Sequence, residues 1–293
     1  MYLWLLFRGW LRSIGPSEQA TTRPHRRPLN LGVMALFAGS AITLLFLALP
    51  QLTLLISGIQ SRGWEGLPNA GVTEALVLSL LTTACSSLLT IMLGTPLAFV
   101  LARWRFIGRS FLIVLVELPI VLPPTVAGLA LLITAGRRGL LGPLLSSVGV
   151  QLPFTTAAVV IAQTFVSAPF FIRAAQVGFA AIPDEIEDAA RVDGASGLTL
   201  FRLVTLPLSA TALAAGLTLS WARAVGEFGA TILFAGSLIG RTQTMTLLVY
   251  NVLESNLDAA IWASVILLVL AFIALLLSQW LTHRAETYEG RYS

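Results

Sequence analysis

Six long apolar blocks separated by short polar segments dominate the pattern of hydrophobic and polar positions. Each block is long enough to cross a hydrocarbon core about 30 Å thick. Because no water is available at that depth, backbone groups must pair within each block, which makes it a helix. The pattern predicts an all-α integral membrane protein of about six transmembrane helices. The blocks run roughly over Leu31–Ser57, Thr73–Ala102, Ser110–Ala135, Pro153–Gly178, Leu208–Gly236 and Ala259–Leu281.

These blocks divide the chain into a transmembrane domain over residues 31–285 and two tails. The N-terminal tail, residues 1–30, interleaves leucines and aromatic residues with Arg8 and Arg12. That mixture resembles a short helix lying on a membrane surface, although an extension with no role in transport fits equally well. The C-terminal tail covers residues 286–293.

Composition agrees with a membrane protein and excludes several kinds of chemistry. Only 11% of the 293 residues are charged, whereas a soluble domain carries about 25%. The single cysteine, Cys85, forms no intrachain disulfide, and His25 and His283 lie near opposite chain ends. All 18 basic residues are arginine, so the lysine of a nucleotide-binding P-loop is missing. We therefore expect no enzymatic activity, no bound cofactor or metal, and, since the arginines form no single stripe, no nucleic-acid partner.

Arginine placement predicts the orientation of the helices. With the N-terminus inside, twelve arginines fall on the inner side and four on the outer side, Arg62, Arg137, Arg138 and Arg241. Because inner loops of membrane proteins are enriched in arginine, both termini are predicted to be cytoplasmic. The pair Arg137–Arg138 runs against this trend.

The predicted inner loop 182–207 contains a short amphipathic helix. Asp184 is placed to cap its first turn, with Glu187 completing a capping box, and acids there suit the helix dipole. Gly194 is a natural C-terminal stop. Ile186, Ala189, Ala190 and Asp193 form a narrow face of mostly small side chains. Such a helix fits a groove on another protein; a solvated loop helix is the alternative.

This loop resembles the motif of type I ABC importer permeases: E-A-A, three residues, G, nine residues, I, one residue, L-P. Here Asp188-Ala189-Ala190, Gly194, Val204 and Leu206-Pro207 match that spacing. Aspartate replaces the glutamate and valine the isoleucine, which preserves charge and shape. In that family the loop is the coupling helix that docks on the ATPase. The resemblance therefore implies a coupling role for Glu187, Asp188, Ala189, Ala190, Gly194 and Ala195.

Two further stretches resemble the oxyanion permeases within that family. The segment Leu118–Gly128 is similar to the third helix of molybdate and sulfate permeases. Arg223–Ile232, followed by Ala235-Gly236 and Arg241–Thr244, is closer to the molybdate branch, since sulfate permeases tend to have tyrosine at the Phe228 position. The resemblance implies molybdate as substrate, with sulfate, thiosulfate or tungstate as alternatives.

The resemblance also implies an assembly and a location. The expected partners are a second copy of the chain, two ATP-binding cassette subunits that hold ATP and Mg, an extracytoplasmic oxyanion-binding protein and membrane lipid. The expected location is the cell (inner) membrane of a bacterium or archaeon, with multiple crossings.

Candidate path or gate residues lie in the same two stretches. Pro123-Pro124 removes two backbone donors within a crossing, a break tolerated where neighbouring helices or a water-filled path satisfy the carbonyls. Gly226 and Gly229 suit close helix approach, so packing and kinking alone are the alternative. The candidates are Pro123, Pro124, Thr125, Arg223, Glu227 and Thr231.

Charges inside the blocks need partners, because a lone charge in a membrane is costly. Arg223 and Glu227 are four apart, which allows a direct pair. That pair is either structural or tunes the path for an anion. Glu117 in the third block faces the bundle interior or pairs with an arginine near the cytoplasmic boundary.

Two other function classes fit the sequence less well. Gly194-Ala195-Ser196-Gly197 matches the G-x-S-G of intramembrane serine proteases, but neither histidine lies in a crossing to activate the serine. A secondary transporter is expected to show inverted repeats, and the sequence has no clear internal repeat.

Overall fold

The structure, a computed structural model, describes residues 31–61 and 71–289, and in those ranges its regular elements are twelve helices. The predicted N-terminal tail, residues 1–30, lies outside the described residues. Residues 290–293 of the predicted C-terminal tail also lie outside them. The helices are α1 Leu31–Gln60, α2 Val72–Arg103, α3 Arg109–Val121, α4 Pro124–Ala135, α5 Gly142–Ser147, α6 Thr156–Ala180, α7 Asp184–Val192, α8 Gly197–Leu208, α9 Ala210–Val225, α10 Gly229–Phe234, α11 Met245–Leu253 and α12 Leu257–Glu289.

The chain divides into two compact units, residues 1–50 and 51–293. In the first unit, the described residues belong to α1, and most of their large apolar side chains are exposed. The second unit contains the rest of α1 and all the other helices.

Three helices are long and apolar enough to cross a membrane: α1, α2 and α6. The number rises to five if each of two bent helix pairs, α3 with α4 and α8 with α9, is one span. The described apolar part of α12, Leu257–Ile273, is a further candidate. An all-helical membrane protein is thus confirmed, while two of the predicted crossings are bent.

The third block, predicted as one helix over Ser110–Ala135, breaks between α3 and α4 with a bend of 116°. Leu122 is extended, as expected for a residue before proline. Pro124 opens α4, where its missing N–H costs nothing. The double proline therefore ends one helix and starts another instead of merely kinking a crossing.

The fifth block, predicted over Leu208–Gly236, is also divided. Its long helix α9 follows a 72° bend at Ser209 and ends at Val225, and α10 is a separate short helix. Before the bend, Phe201–Thr205 forms a π-helical turn, a local widening that is rare in helices.

Helix α6 is the centre of the second unit and packs against α2 and α9. Small residues allow the close contact with α9. A Cβ atom added to Gly178 would lie 2.5 Å from the Ala212 Cβ, and one added to Gly216 would lie 2.6 Å from the Ala174 Cβ. Close packing of small residues is how membrane helices associate when lipid removes the hydrophobic driving force.

Helices α4 and α10 meet just as closely. A Cβ on Gly229 would lie 2.7 Å from the Pro124 Cβ, and one on Gly128 would lie 2.7 Å from the Ala230 carbonyl oxygen. The predicted close approach at Gly229 is confirmed. At Gly226 it is wrong, because a Cβ there would meet only the Ala222 oxygen at an ordinary 3.7 Å.

The outward faces of the long helices are apolar. On α2, Leu81 and Leu93 are 60% and 66% exposed, and on α6 Val177 is 56% exposed. Exposure of large apolar side chains on this scale is rare on soluble monomers and agrees with helices that lie in a membrane.

The two glycines near the end of α9 give a matched test of the α4–α10 contact. Gly229→Ala should lower the free energy of unfolding by about 1–3 kcal/mol, since the added methyl group overlaps Pro124. Gly226→Ala should leave it nearly unchanged. Thermal unfolding of both variants in lipid nanodiscs measures the difference. Equal midpoints for the two variants would contradict the packing described here.

Candidate functional site

Helix α7 lies where the coupling helix was predicted, but its start differs from the prediction. Pro183 is the N-cap residue, and no side chain caps the helix. Asp184, Glu185 and Glu187 lie in the first turn, in agreement with the helix dipole. The predicted capping box of Asp184 and Glu187 is wrong, because the Glu187 carboxylate points inward to other partners.

Arg103, the last residue of α2, holds that carboxylate. Its Nη2 lies 2.5 Å from Glu187 Oε1, and its Nη1 lies 3.1 Å from Asp184 Oδ1. The same Nη1 donates to the Ile182 carbonyl oxygen at 3.3 Å. The side chains of Arg103 and Glu187 are 13% and 7% exposed. A largely buried ion pair therefore fixes α7 to the end of α2.

Two further groups complete the set around Glu187. The Thr205 hydroxyl, from the π-helical turn in α8, donates to Glu187 Oε1 at 3.1 Å. Arg191 lies 3.5 Å from Glu187 Oε2 and 2.6 Å from Asp188 Oδ1. We call Arg103, Glu187 and Thr205 the α7 clasp.

A cavity of about 350 Å³ opens beside the clasp, between α2, α7 and α8. Aromatic rings pack along its wall, with Phe99 in edge contact with Trp104, Phe179 and Phe201 at centroid distances of 5.0–5.5 Å. These edge-to-face pairs add about 0.5–1.5 kcal/mol each to the packing of α2 against α6 and α8.

The outward face of α7 is largely exposed in the described chain. Ile186 is 43% exposed, and Asp188 and Ala189 are exposed, whereas Ala190 and Ala195 are half-buried. Val192 and Leu198 are 88% and 67% exposed. The predicted narrow face therefore exists, and it continues into an apolar patch.

Gly194, just beyond α7, has φ +91° and open space around it. This confirms the predicted left-handed helix end. A Cβ atom added to Gly194 would have no atom of the described chain within 4 Å, so close packing inside this chain does not require a glycine here. The conformation, not crowding, is what demands glycine here.

The predicted path residues Arg223 and Glu227 form a direct pair. Arg223 Nη1 lies 2.6 Å from Glu227 Oε2. The other Glu227 oxygen accepts from the Ala230 N–H at 2.7 Å, and the Glu227 carbonyl accepts from the Thr246 hydroxyl at 2.8 Å. Glu227 is 1% exposed and follows the end of α9, so the pair closes the break between α9 and α10 instead of lying on one helix face.

The remaining path candidates lie at the α4–α10 contact. Pro123, Pro124 and Thr125 are exposed at the start of α4, and Thr125 lies against Gly229. Thr231 is fully buried, and its hydroxyl has no hydrogen-bond partner in the described part of the chain. The structure thus brings the two predicted stretches together, with Thr231 inside the contact.

The sequence did not identify which arginines pair with Glu117 and Glu187. Glu117 pairs with Arg173, whose Nε lies 3.3 Å from Glu117 Oε1, so the predicted pairing with an arginine is confirmed. Arg103, the partner of Glu187, is one of the twelve arginines predicted on the inner side, and no pairing was predicted for it. Its position at the end of an apolar block, on the same predicted side of the membrane as the acid-rich loop 182–207, was the available signal.

Comparison with known proteins defines the class. Residues 94–287 match the family described as "Binding-protein-dependent transport system inner membrane component". The chain belongs to this family of ABC transporter permeases, and it is a multi-pass membrane protein.

Individual relatives narrow the resemblance. The chain is 40% identical over 233 residues to the "Molybdenum transport system permease protein ModB" of Mycobacterium tuberculosis, covering 80% of this chain and 88% of that protein. It is 36% identical over 242 residues to the "Probable sulfate transport system permease protein cysT" of Zygnema circumcarinatum, covering 80% and 83%. A bacterial alginate ABC transporter solved with an alginate-bound periplasmic protein shares the fold, with TM-score 0.69 at 18% identity, covering 86% and 94%.

The clasp makes a prediction about local stability. Arg103→Gln leaves the Glu187 carboxylate buried without its main cation, which costs about 3 kcal/mol or more. Amide hydrogen exchange in α7 should accelerate by up to about 100-fold, the equivalent of ~3 kcal/mol. Glu187→Gln, which retains a hydrogen-bond acceptor, should accelerate it less.

Arg105→Gln is the matched control, because Arg105 is exposed two residues away. It should leave α7 exchange unchanged. If Arg103→Gln and Arg105→Gln gave the same exchange rates, the clasp would not hold α7.

Proposed function

We propose that this permease subunit translocates molybdate in an ATP-driven importer. The identity of 40% to a protein named as a molybdenum permease carries the proposal. The chain is also 36% identical to a protein named as a sulfate permease, so sulfate is the alternative substrate. Phe228 favours the molybdate branch, because sulfate permeases tend to have tyrosine at that position. Phe228 packs against Tyr250, with ring centroids 5.1 Å apart, beside the buried Glu227.

ATP hydrolysis, in this proposal, takes place on two partner subunits that hold ATP and Mg. The absence of lysine from the whole sequence supports this division of labour. Two copies of the chain surround one path, and an extracytoplasmic binding protein delivers the anion. The arginine bias supports cytoplasmic termini and a location in the cell (inner) membrane.

Helix α7 is the proposed docking element for the ATPase. Its outward face offers Ile186, Asp188 and Ala189, and its inward face is fixed by the clasp. Glu187 therefore acts by positioning α7 and is not itself a docking residue. Ala190, Ala195 and Gly194 shape the end of the helix where the partner approaches.

The Arg223–Glu227 pair is the proposed element of the path that meets the anion. Its contacts support a structural role, since Glu227 has both a nearby cation and an N–H donor. For transport, the carboxylate neutralises Arg223, so that a dianion is attracted but not trapped. Weak binding of this kind is what conduction requires, because a transported ion must also leave.

Competition uptake tests the substrate. Proteoliposomes containing the permease, its ATPase and its binding protein should accumulate molybdate when ATP is inside, and not when an ion gradient replaces ATP. Tungstate, of similar size and charge, should compete strongly, and sulfate more weakly. If sulfate displaced molybdate at equal concentration, the substrate assignment would fail, while ATP-dependent accumulation of either anion would retain the importer.

Gly194 tests the docking role. Gly194→Leu places a side chain at φ +91°, which costs about 1–2 kcal/mol of backbone strain, and puts bulk on the docking side. The variant should still insert in the membrane but lose the ATPase during co-purification. ATP-driven uptake should fall with it.

Gly108 is the matched control for that change. It has the same φ of +91° and the same open surroundings, but it lies in the loop between α2 and α3. Gly108→Leu should keep the ATPase bound. Equal loss of ATPase from both variants would show a general defect of the inner loops and refute the docking role of α7.

A further inference from the structure

A cavity of about 470 Å³ lies at the start of α6, and two arginines line it. Arg137 follows α4, and Arg241 follows α10. Helix α6 has 25 residues and is therefore about 37 Å long, and α7 follows its other end. If α7 is cytoplasmic, this pocket opens on the extracytoplasmic side. We call it the mouth pocket.

The arginine side chains in the mouth pocket are available to an anion. Arg137 Nη2 donates to Gln151 Oε1 at 2.6 Å, which orients the guanidinium and leaves the Gln151 amide N–H groups as further donors. In the part of the chain that the structure describes, no acidic side chain lies within 4 Å of Arg137 or Arg241. The described lining contains no acid at all.

The backbone around the pocket is fixed. The Thr156 hydroxyl donates to the Arg241 carbonyl oxygen at 2.9 Å, which ties the Arg241 segment to the start of α6. The Thr155 hydroxyl caps α6 by accepting from the Ala158 N–H. Arg241 is thus held at the start of α6, Arg137 is oriented by its side-chain bond to Gln151, and no acid in the described lining lies between the two charges.

Phe154 adds a second unusual feature to the same pocket. It is the only non-glycine residue with positive φ in the described ranges, at +62°. That conformation is uncommon for an aromatic residue and strain of this kind clusters at ligand sites. It places the Phe154 ring against Gly236, where an added Cβ would lie 2.9 Å from the ring. The ring forms an apolar wall beside the arginines.

We propose that the mouth pocket binds a tetrahedral oxyanion dianion before it enters the path between the helices. The inference rests on the proposed function for the identity of the anion. Guanidinium groups present planar, paired donors that suit the oxygens of such an anion. A water molecule occupies about 30 Å³ in the liquid, so the cavity holds the anion with part of its hydration shell. The pocket concentrates the substrate at the outer end of the permease.

Direct binding to the full chain tests this proposal. The purified permease in lipid nanodiscs, without binding protein or ATP, is titrated with radiolabelled molybdate at low ionic strength. Arg137→Gln and Arg241→Gln should each weaken binding by about tenfold, because each removes a charged donor. Sulfate, an equally charged tetrahedral anion, should displace molybdate, and added salt should weaken binding since the pocket is open to solvent.

Arg138→Gln is the matched control. Arg138 is exposed and adjacent to Arg137, so the change in net charge is identical, but Arg138 does not line the pocket. Binding should remain within about twofold of wild type, the range expected for a surface charge. An equal loss in all three variants would assign the effect to the general field of the protein and overturn the proposal, as would unaltered binding in the two pocket variants or no binding by wild type.

Uptake by the same wild-type preparation separates this inference from the proposed function. If ATP-driven molybdate uptake persists while the nanodiscs bind no molybdate, the pocket proposal fails and the permease function stands. If the pocket binds molybdate and sulfate but the complex transports neither, the proposed substrate fails and the anion site stands. In the transporting complex, both pocket variants should raise KM for molybdate uptake, whereas Arg138→Gln should leave KM unchanged.

Discussion

The Arg103–Glu187 ion pair connects α7, the proposed docking helix, to α2, which is long and apolar enough to cross a membrane. It joins residues 84 positions apart and is largely buried, so neither charge can leave the other without a large free-energy cost. Helix α7 is therefore coupled to α2, and α2 packs on α6, which packs on α9. Because close-packed interiors transmit strain, we expect a force on α7 to reach α6 and α9 through these contacts.

The second constraint is the contact between the short helices α4 and α10. Breaks at Pro123 and after Val225 free backbone groups, and the protein satisfies them locally. The Ala230 N–H donates a hydrogen bond to the Glu227 carboxylate. Gly128 and Gly229 have no side chains, which lets α4 and α10 come into contact. Irregular backbone at membrane depth is tolerated only where protein or a water-filled cavity surrounds it. The α4–α10 contact is such a place, which is why the path residues proposed for transport are also packing residues.

Much of this arrangement was predictable from the sequence, for physical reasons that are local. The length of the apolar blocks predicts the helices, and the i, i+4 spacing predicts the Arg223–Glu227 pair. The glycine after an amphipathic helix predicts the left-handed conformation of residue 194. The predicted capping box is wrong because the Glu187 carboxylate pairs with Arg103 of α2 instead of bonding the N–H groups at the start of its own helix. The helix breaks at Pro123 and Gly226 lie inside continuous apolar blocks. Hydropathy depends only on how apolar the residues are, so it does not predict where the chain bends. The partner of Glu187 was hidden for the same reason as any long-range contact: spacing along the chain carries no information about it.

The π-helical turn at Phe201–Thr205 has a consequence for the phase of the helix that follows. A π turn accommodates one residue more than an α turn, and one residue corresponds to about 100° of rotation and 1.5 Å of rise in an α-helix. If this turn tightened to α geometry, Thr205 and the residues after it would rotate relative to Phe201. The Thr205 hydroxyl would then turn away from Glu187, and the start of α9 would turn with it. At this turn, the part of α8 after Thr205 can therefore rotate about the helix axis relative to the part before Phe201 while the helix stays intact.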